Sequence, residues 1–303
     1  MVFPPFPLPA LRPGRRLARR YRLLRFLGQG HHGQVVLAVD ETSGQHVAIK
    51  AGRGYALRHE GQILAQLSHA LIPRLLDHYQ AHGHHFLVME AIDGVSLIHL
   101  LGQLGRGPQR QVVALVVADQ LLGVLAYLHQ RQIAHGDVTP ANVLLGRDGY
   151  CRLIDFSTAL PVHDQASVMF AALRLYGTPG YLAPECSEGA LPAPPGDLFG
   201  LGATLYHVLL DEAPFWIAQV RRLPQYRHSQ LGELGSLVMP LLHPHPSQRL
   251  TQVEAQRRVC RLRFHLHSVV ARQLASKDTP PLVAAALRTW LRPSPRPVFS
   301  PGS

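Results

Sequence analysis

Gly28-Gln29-Gly30-His31-His32-Gly33-Gln34-Val35 is the stretch on which the fold turns. Three glycines in eight residues let a backbone turn tightly and approach a ligand closely. The N–H groups of such a loop are donors for an anion. The same glycine spacing opens a dinucleotide-binding turn, but there a helix starts at the third glycine. Here the flanks, Tyr21–Leu27 and Val35–Val39, are both β-type runs. The context therefore predicts strand, loop, strand, with the loop lying over phosphates.

Working outward, His46–Lys50 is a third short strand after the turn residues Thr42-Ser43-Gly44. It ends in Val47-Ala48-Ile49-Lys50, with the lysine 17 residues beyond Gly33. Lys50 and Lys277 are the only lysines in a chain that otherwise uses arginine, so a lysine in this slot looks selected. A compact ammonium there can reach phosphates but needs a carboxylate to steady it. Between Lys50 and Asp77 the only acidic residue is Glu60. It lies in residues 55–68, read as a helix with Leu57, Ile63, Leu64 and Leu67 on one face. Gly61 costs that helix about 1 kcal/mol relative to alanine, and the short span from Lys50 predicts a shortened N-terminal end.

Further along stands His135-Gly136-Asp137-Val138-Thr139-Pro140-Ala141-Asn142-Val143-Leu144-Leu145, after the apolar run 111–130. Asp137 can orient or accept a hydroxyl proton, and Asn142 can offer a carbonyl oxygen to a metal. Then comes Leu153-Ile154-Asp155-Phe156-Ser157, a carboxylate after an apolar strand, suited to Mg²⁺. Each short motif is weak alone. Their order and spacing together are not.

Over roughly residues 21–260 the chain resembles the eukaryotic-type serine/threonine protein kinases, in the bacterial style. Gly177-Thr178-Pro179-Gly180-Tyr181-Leu182-Ala183-Pro184-Glu185, Asp197-Leu198-Phe199-Gly200-Leu201-Gly202 and Pro246-Ser247-Gln248-Arg249 add to the likeness. The resemblance implies an α+β bilobal kinase fold, with a small β-rich N-lobe and a large, mainly α-helical C-lobe. It implies ATP and Mg²⁺, with Mn²⁺ as a substitute, and proteins bearing Ser or Thr acceptors as partners. Asp137 becomes the catalytic base, Lys50 and Glu60 the activating ion pair, Asn142 and Asp155 the metal ligands. The nucleotide set becomes Leu27, Gly28, Gln29, Gly30, His31, His32, Gly33, Gln34, Val35, Ala48, Lys50, Met89, Glu90, Ile92 and Leu144. Within it Met89 is the gatekeeper and Glu90–Ile92 the hinge, while Val35, Ala48 and Leu144 sandwich adenine. Glu185 and Arg249 become a structural salt bridge. Leu64, Leu75, His135 and Phe156 become a packed column, anchored by Asp197. Thr178 would face Asp137 across the acceptor hydroxyl.

Three departures from the family pattern bear on activity. Gly136 stands where an arginine usually receives a loop phosphate, so residues 157–176 are expected to be ordered without phosphorylation. Thr139 replaces a lysine that neutralises the γ-phosphate, which predicts a low rate. Ser157 replaces a glycine and should restrict backbone flips. His-Gly-Asp also occurs in aminoglycoside and choline phosphotransferases, and a pseudokinase scaffold is the other alternative. The complete Ala183-Pro184-Glu185 segment and the five residues Lys50, Glu60, Asp137, Asn142 and Asp155 argue against these two.

The bulk properties agree with a globular catalytic chain. The 303 residues suffice for two lobes with separate cores, and 47% apolar with 16% charged residues excludes a disordered chain. The net charge of +11 could suit nucleic acid, an anionic membrane or acidic substrates, but an arginine-rich proteome explains it as well, and no nucleic-acid partner is expected. Cys151, Cys186 and Cys260 form no paired spacing, which fits a reducing cytoplasm. No run of about 20 uninterrupted apolar residues predicts a spanning helix. The N-terminal apolar stretch precedes its arginines, the wrong order for a secretory signal. The organisation expected is a flexible Pro/Arg tail (1–20), N-lobe (21–92), C-lobe (93–260), helical extension (261–291) and a disordered end (292–303).

Overall fold

Alternating β-branched and small residues between Gly33 and Gly52 build the centre of a six-stranded antiparallel sheet. The computed structural model describes residues 11–30, 33–81, 83–105, 107–162, 177–214 and 231–292. Its strands are β1 (Arg16–Leu17), β2 (Tyr21–Gly30), β3 (Gly33–Asp40), β4 (His46–Gly52), β5 (Leu75–Ala81) and β6 (His84–Glu90), in the order β1-β2-β3-β4-β6-β5. Helix α1 (Tyr55–Leu64) is shorter than the expected 55–68 and ends in turns. One side of the sheet buries Tyr21, Leu23, Val36, Ala38, Val47, Ile49, Ala51, Phe86 and Val88. They alternate along β2, β3, β4 and β6, as the pleat requires.

The chain divides into two compact units. Residues 1–93 with Ile154–Ala159 form one, and 94–153 with 160–303 the other. The stretch carrying Asp155 therefore belongs with the sheet rather than with the C-lobe span 93–260 in which the sequence placed it. Within the span expected as a flexible tail, residues 11–20 are described. β1 pairs with β2, Arg16 meets Glu41 at 2.8 Å, and Arg20 bonds both oxygens of Asp40 at 2.9 and 2.8 Å. Those bonds from Arg20 hold the Asp40 carboxyl well below the usual range.

The second unit is helical: α2 (Leu97–Leu101), α3 (Pro108–Gln130), α4 (Pro184–Ser187), α5 (Pro194–Leu210), α6 (Gly235–Leu241), α7 (Gln252–His265), α8 (His267–Ala275) and α9 (Pro281–Leu291). Two small sheets accompany them. One runs β10-β9-β7, from β7 (Gly94–Ser96), β9 (Val143–Gly146) and β10 (Cys151–Leu153). The other pairs β8 (Ile133–Ala134) with β11 (Leu160–Pro161). α3 is long and apolar enough to cross a membrane by length and composition, yet 67% of its apolar window is buried here. It is the core helix of this unit, with α5, α7, α8 and α9 packed around it.

The boundary expected at residue 261 falls inside α7, and the extension is part of this unit. Arg263 of α7 donates to Asp119 of α3 at 3.3 Å and to the carbonyls of Trp290 and Arg292, and lies over the Trp290 ring. Thr289 of α9 donates to the carbonyl of Asp148 at 3.1 Å. Of the end read as disordered, residues 293–303 lie outside the described chain.

Arg110, which no motif marks, holds the entry to α3. Only 2% exposed, it donates to the carbonyls of Leu101, Leu104, Gly105 and Val208 and to Asp211. Replacing it with methionine keeps the volume but strands those acceptors. Arg110→Met should lower unfolding free energy by about 3 kcal/mol, read as a reduced urea midpoint at constant slope.

Candidate active site

The strand register sorts the expected nucleotide residues onto one face. Val35 pairs with Lys50, Lys50 with Leu87, Leu37 with Ala48, and Ala48 with Met89. Directly paired residues share a face, so Val35, Ala48, Lys50 and Met89 all lie opposite the core side. Val35, Ala48 and Met89 are only half-buried there. β2 and β3 stay paired out to Gly30↔Gly33, and His31 and His32 between them lie outside the described residues. Gly33 has φ +152, and a Cβ there would sit 2.3 Å from the Ala51 carbonyl oxygen. At Gly33 the start of β3 thus runs too close to β4 for any side chain. Around Gly28 and Gly30 a Cβ would meet nothing within 4 Å among the described residues. Leu27 and Gln29 are exposed on the same rim, with Gln34 half-buried. At the strand end, the Glu90 N–H is committed to the Arg74 carbonyl at 2.9 Å, so Glu90 cannot donate to a ligand. Ile92, beyond it, is half-buried.

Lys50, 5% exposed, donates to Glu60 Oε2 at 2.7 Å and to Asp155 Oδ1 at 2.8 Å. Burial works against its charge, but the two carboxylates prevail and raise its pKa. Asp155 is held well below the usual carboxylate range: burial opposes ionisation, and the Lys50 charge with bonds from Lys50 and Ser157 overcomes it. Glu60 is the most deeply buried member, and burial pushes it up to about 7 against the pull of Lys50. Asp155 has φ 63, a left-handed conformation costly for a side-chain-bearing residue. The Ser157 N–H bonds its Oδ1 at 3.2 Å and supports that geometry.

In the second unit the catalytic-loop sequence wraps a buried carboxylate. Asp197, at the start of α5, accepts the His135 N–H on Oδ2 and the Gly136 N–H on Oδ1, both at 2.8 Å. His129 Nε2 adds a third contact at 2.8 Å, a partner that no sequence signal marked. Gly136 has φ +78, so the residue standing in place of the family arginine takes the left-handed turn without strain. Asp137 is held from two sides. Asn142 Nδ2 donates to its Oδ2 at 2.8 Å, and the Thr178 N–H donates to its Oδ1 at 2.8 Å. A Cβ on Gly177 would come within 3.1 Å of the Gly136 carbonyl and 3.7 Å of Asp137 Oδ1. Thr139 is buried, and its Oγ1 meets no hydrogen-bond partner among the described residues. Leu144 is half-buried on β9. Arg249 grips Glu185 through two bonds of 2.8 and 3.0 Å.

Residues 21–259 match the protein kinase domain family. The chain belongs to that family. Among curated relatives, this kinase domain is 34% identical to "Serine/threonine-protein kinase pkn2" of Myxococcus xanthus, over 65% of the chain and 25% of that protein. It is 30% identical to the kinase PrkC of Bacillus subtilis, over 67% of the chain and 32% of the relative. It is 28% identical to PknB of Mycolicibacterium smegmatis, over 92% and 47%. The chain thus spans about a quarter to a half of the length of these relatives. The fold is the α+β kinase fold that the motifs implied.

The expected residues gather as two constellations, one per unit: Lys50, Glu60 and Asp155 in the first, Asp137, Asn142 and Thr178 in the second. The expected ordered loop lies outside the described residues from 163 to 176. Asp197 is the linchpin of the second set. Asp197→Asn replaces an acceptor with an amide that cannot serve two N–H groups equally. Hydrogen exchange at the His135 and Gly136 amides should speed up about 100-fold, equivalent to about 3 kcal/mol of local stability.

Proposed function

We propose that this domain moves the γ-phosphate of ATP onto serine or threonine hydroxyls of protein substrates. The observation that carries the reading is the double hold on Asp137. Through the Thr178 N–H, the Gly177–Glu185 segment is fastened to the carboxylate that would take the acceptor's proton. A peptide laid along that segment would present its hydroxyl to a base whose orientation is already fixed. Orientation of this kind is the main catalytic resource in phosphoryl transfer. The names of the relatives, all serine/threonine-protein kinases, support the acceptor class.

In the step itself the acceptor oxygen bonds to the γ-phosphorus while the β–γ bridging bond breaks, its electron pair leaving with ADP. Asp137 receives the hydroxyl proton. Lys50, steadied by Glu60, would reach the α- and β-phosphates, with the Gly28–Val35 segment over them. Val35, Ala48 and Leu144 would contact adenine, with Met89 and the hinge residues Glu90–Ile92 at its edge.

The donor chemistry suits a hard divalent cation, Mg²⁺ or its substitute Mn²⁺. Asp155 is kept ionised, and the Asn142 amide spends its nitrogen on Asp137, which turns its carbonyl oxygen the other way. Each would offer one oxygen ligand, and the ion would neutralise phosphate charge. Thr139 supplies no cation, so the rate should be low for the family. The free thiols Cys151, Cys186 and Cys260 suit our proposal of a reducing, cytoplasmic setting.

Incubation with labelled ATP and Mg²⁺ should yield phosphoserine or phosphothreonine on protein. Asp137→Ala should slow transfer by about 10²- to 10⁴-fold with the fold intact. Asp155→Ala should abolish both turnover and cation-dependent nucleotide binding. Phosphate found solely on an aminoglycoside or another small hydroxyl compound would sink the protein-acceptor reading. ATP binding without transfer, with either cation, would make the domain a binding module.

A further inference from the structure

α1 carries Glu60, yet its own ends do little to hold it. The helix has ten residues, starts at Gly54 without a side-chain cap, and has no acidic residue in its first turn. A helix of that length is marginal on its own. Besides apolar burial of Leu57, Ile63 and Leu64, two adjacent residues tie it to the turn 155–159. Glu60 Oε1 accepts the Phe156 N–H at 3.3 Å. One residue earlier, buried His59 places Nε2 2.6 Å from the carbonyl oxygen of Ala159. A carbonyl only accepts, so Nε2 must carry the proton, whether the ring is neutral or charged. The Ala159 N–H closes back on the Phe156 carbonyl at 3.1 Å, which fixes the turn that offers this acceptor. Tyr55, one helical turn before, stacks on the imidazole at 5.5 Å and 19°, which sets the ring plane. Every one of these groups lies in the first unit.

We propose that His59 is a positioning residue for phosphoryl transfer. Its N–H to the Ala159 carbonyl holds α1 where Glu60 meets Lys50, and holds the turn that presents Asp155. The proposal rests on the kinase reading above. In that reading His59 touches neither nucleotide nor acceptor and acts through Glu60 and Asp155. Nothing in the latch needs to be added to the protein, so the ion pair would be assembled in the unmodified chain.

The full chain tests this with paired variants. Glutamine places an amide N–H where imidazole Nε2 stood, so His59→Gln keeps the donor. His59→Phe keeps a ring for Tyr55 but loses the donor. His59→Gln should transfer phosphate within about threefold of wild type. His59→Phe should lose about 10- to 100-fold in kcat, the cost of displacing catalytic groups by about 1 Å, while both variants melt alike. Hydrogen exchange at the Phe156 and Ala159 amides should accelerate in His59→Phe and not in His59→Gln. A His59→Phe enzyme as fast as wild type, or a His59→Gln enzyme as slow as His59→Phe, would overturn the latch. Nitrogen-15 spectra of the wild-type imidazole should place the neutral ring's proton on Nε2. An Nδ1–H tautomer would overturn it even if a variant fails to fold. Absence of transfer by the wild type would count against the kinase reading instead, and the tautomer and exchange measurements would still decide the latch.

Discussion

A lysine ammonium buried between two carboxylates is the constraint on which the first unit depends. Lys50 reaches Glu60 and Asp155 at once, with 2.7 and 2.8 Å contacts. Removing charges from water costs several kcal/mol per ion, and only close, well-aligned partners offset it. One ammonium faces two carboxylates, so both must stay close and aligned to offset its burial. Holding that geometry requires both a strand and a helix in fixed register. The register of β3, β4 and β6 supplies one, and the contacts of α1 with the 155–159 turn supply the other.

The second unit is arranged around a different buried carboxylate. Asp197 replaces water for two consecutive backbone N–H groups, at His135 and Gly136, and so sets the path of the loop that ends in Asp137 and Asn142. Its position at the start of α5 also places a negative charge where a helix N-terminus favours it. α3 buries 13 of its 23 residues and α5 13 of its 17, so the platform beneath the loop is densely packed. Gly136 and Thr139 then differ from the usual kinase pattern in opposite ways. The glycine relaxes a left-handed position, while Thr139 buries a hydroxyl that is unpartnered among the described residues where a charge would be expected.

Much of the fold was legible because its signals are local. Glycines at a hairpin turn, β-branched alternation and a wholly apolar helical run each report on a few neighbouring residues. β5 was missed because Leu75–Ala81 mixes exposed polar and half-buried residues and owes its state to pairing with β6. β1 was missed because two residues among arginines carry no pattern, and their order comes from β2, Glu41 and Asp40. Beyond residue 260, Arg263 reads as a surface charge in the sequence, and only the fold sets Asp119 and Trp290 beside it.

The amino-acid sequence by itself determined the chemical cast: the glycine loop, the lone strand-end lysine, the Asp…Asn pair and the following Asp, in an order that one fold family uses. Those residues are short contiguous motifs, so their spacing is visible in one dimension. Only the tertiary structure decided which of them meet. Asp155 joins the sheet unit, 105 residues away from Lys50 along the chain. The Thr178 N–H reaches Asp137 across 41 residues, and His59 reaches Ala159 across 100. Contacts at such separations are set by the packing of whole elements, where buried polar groups must find partners wherever the fold brings them.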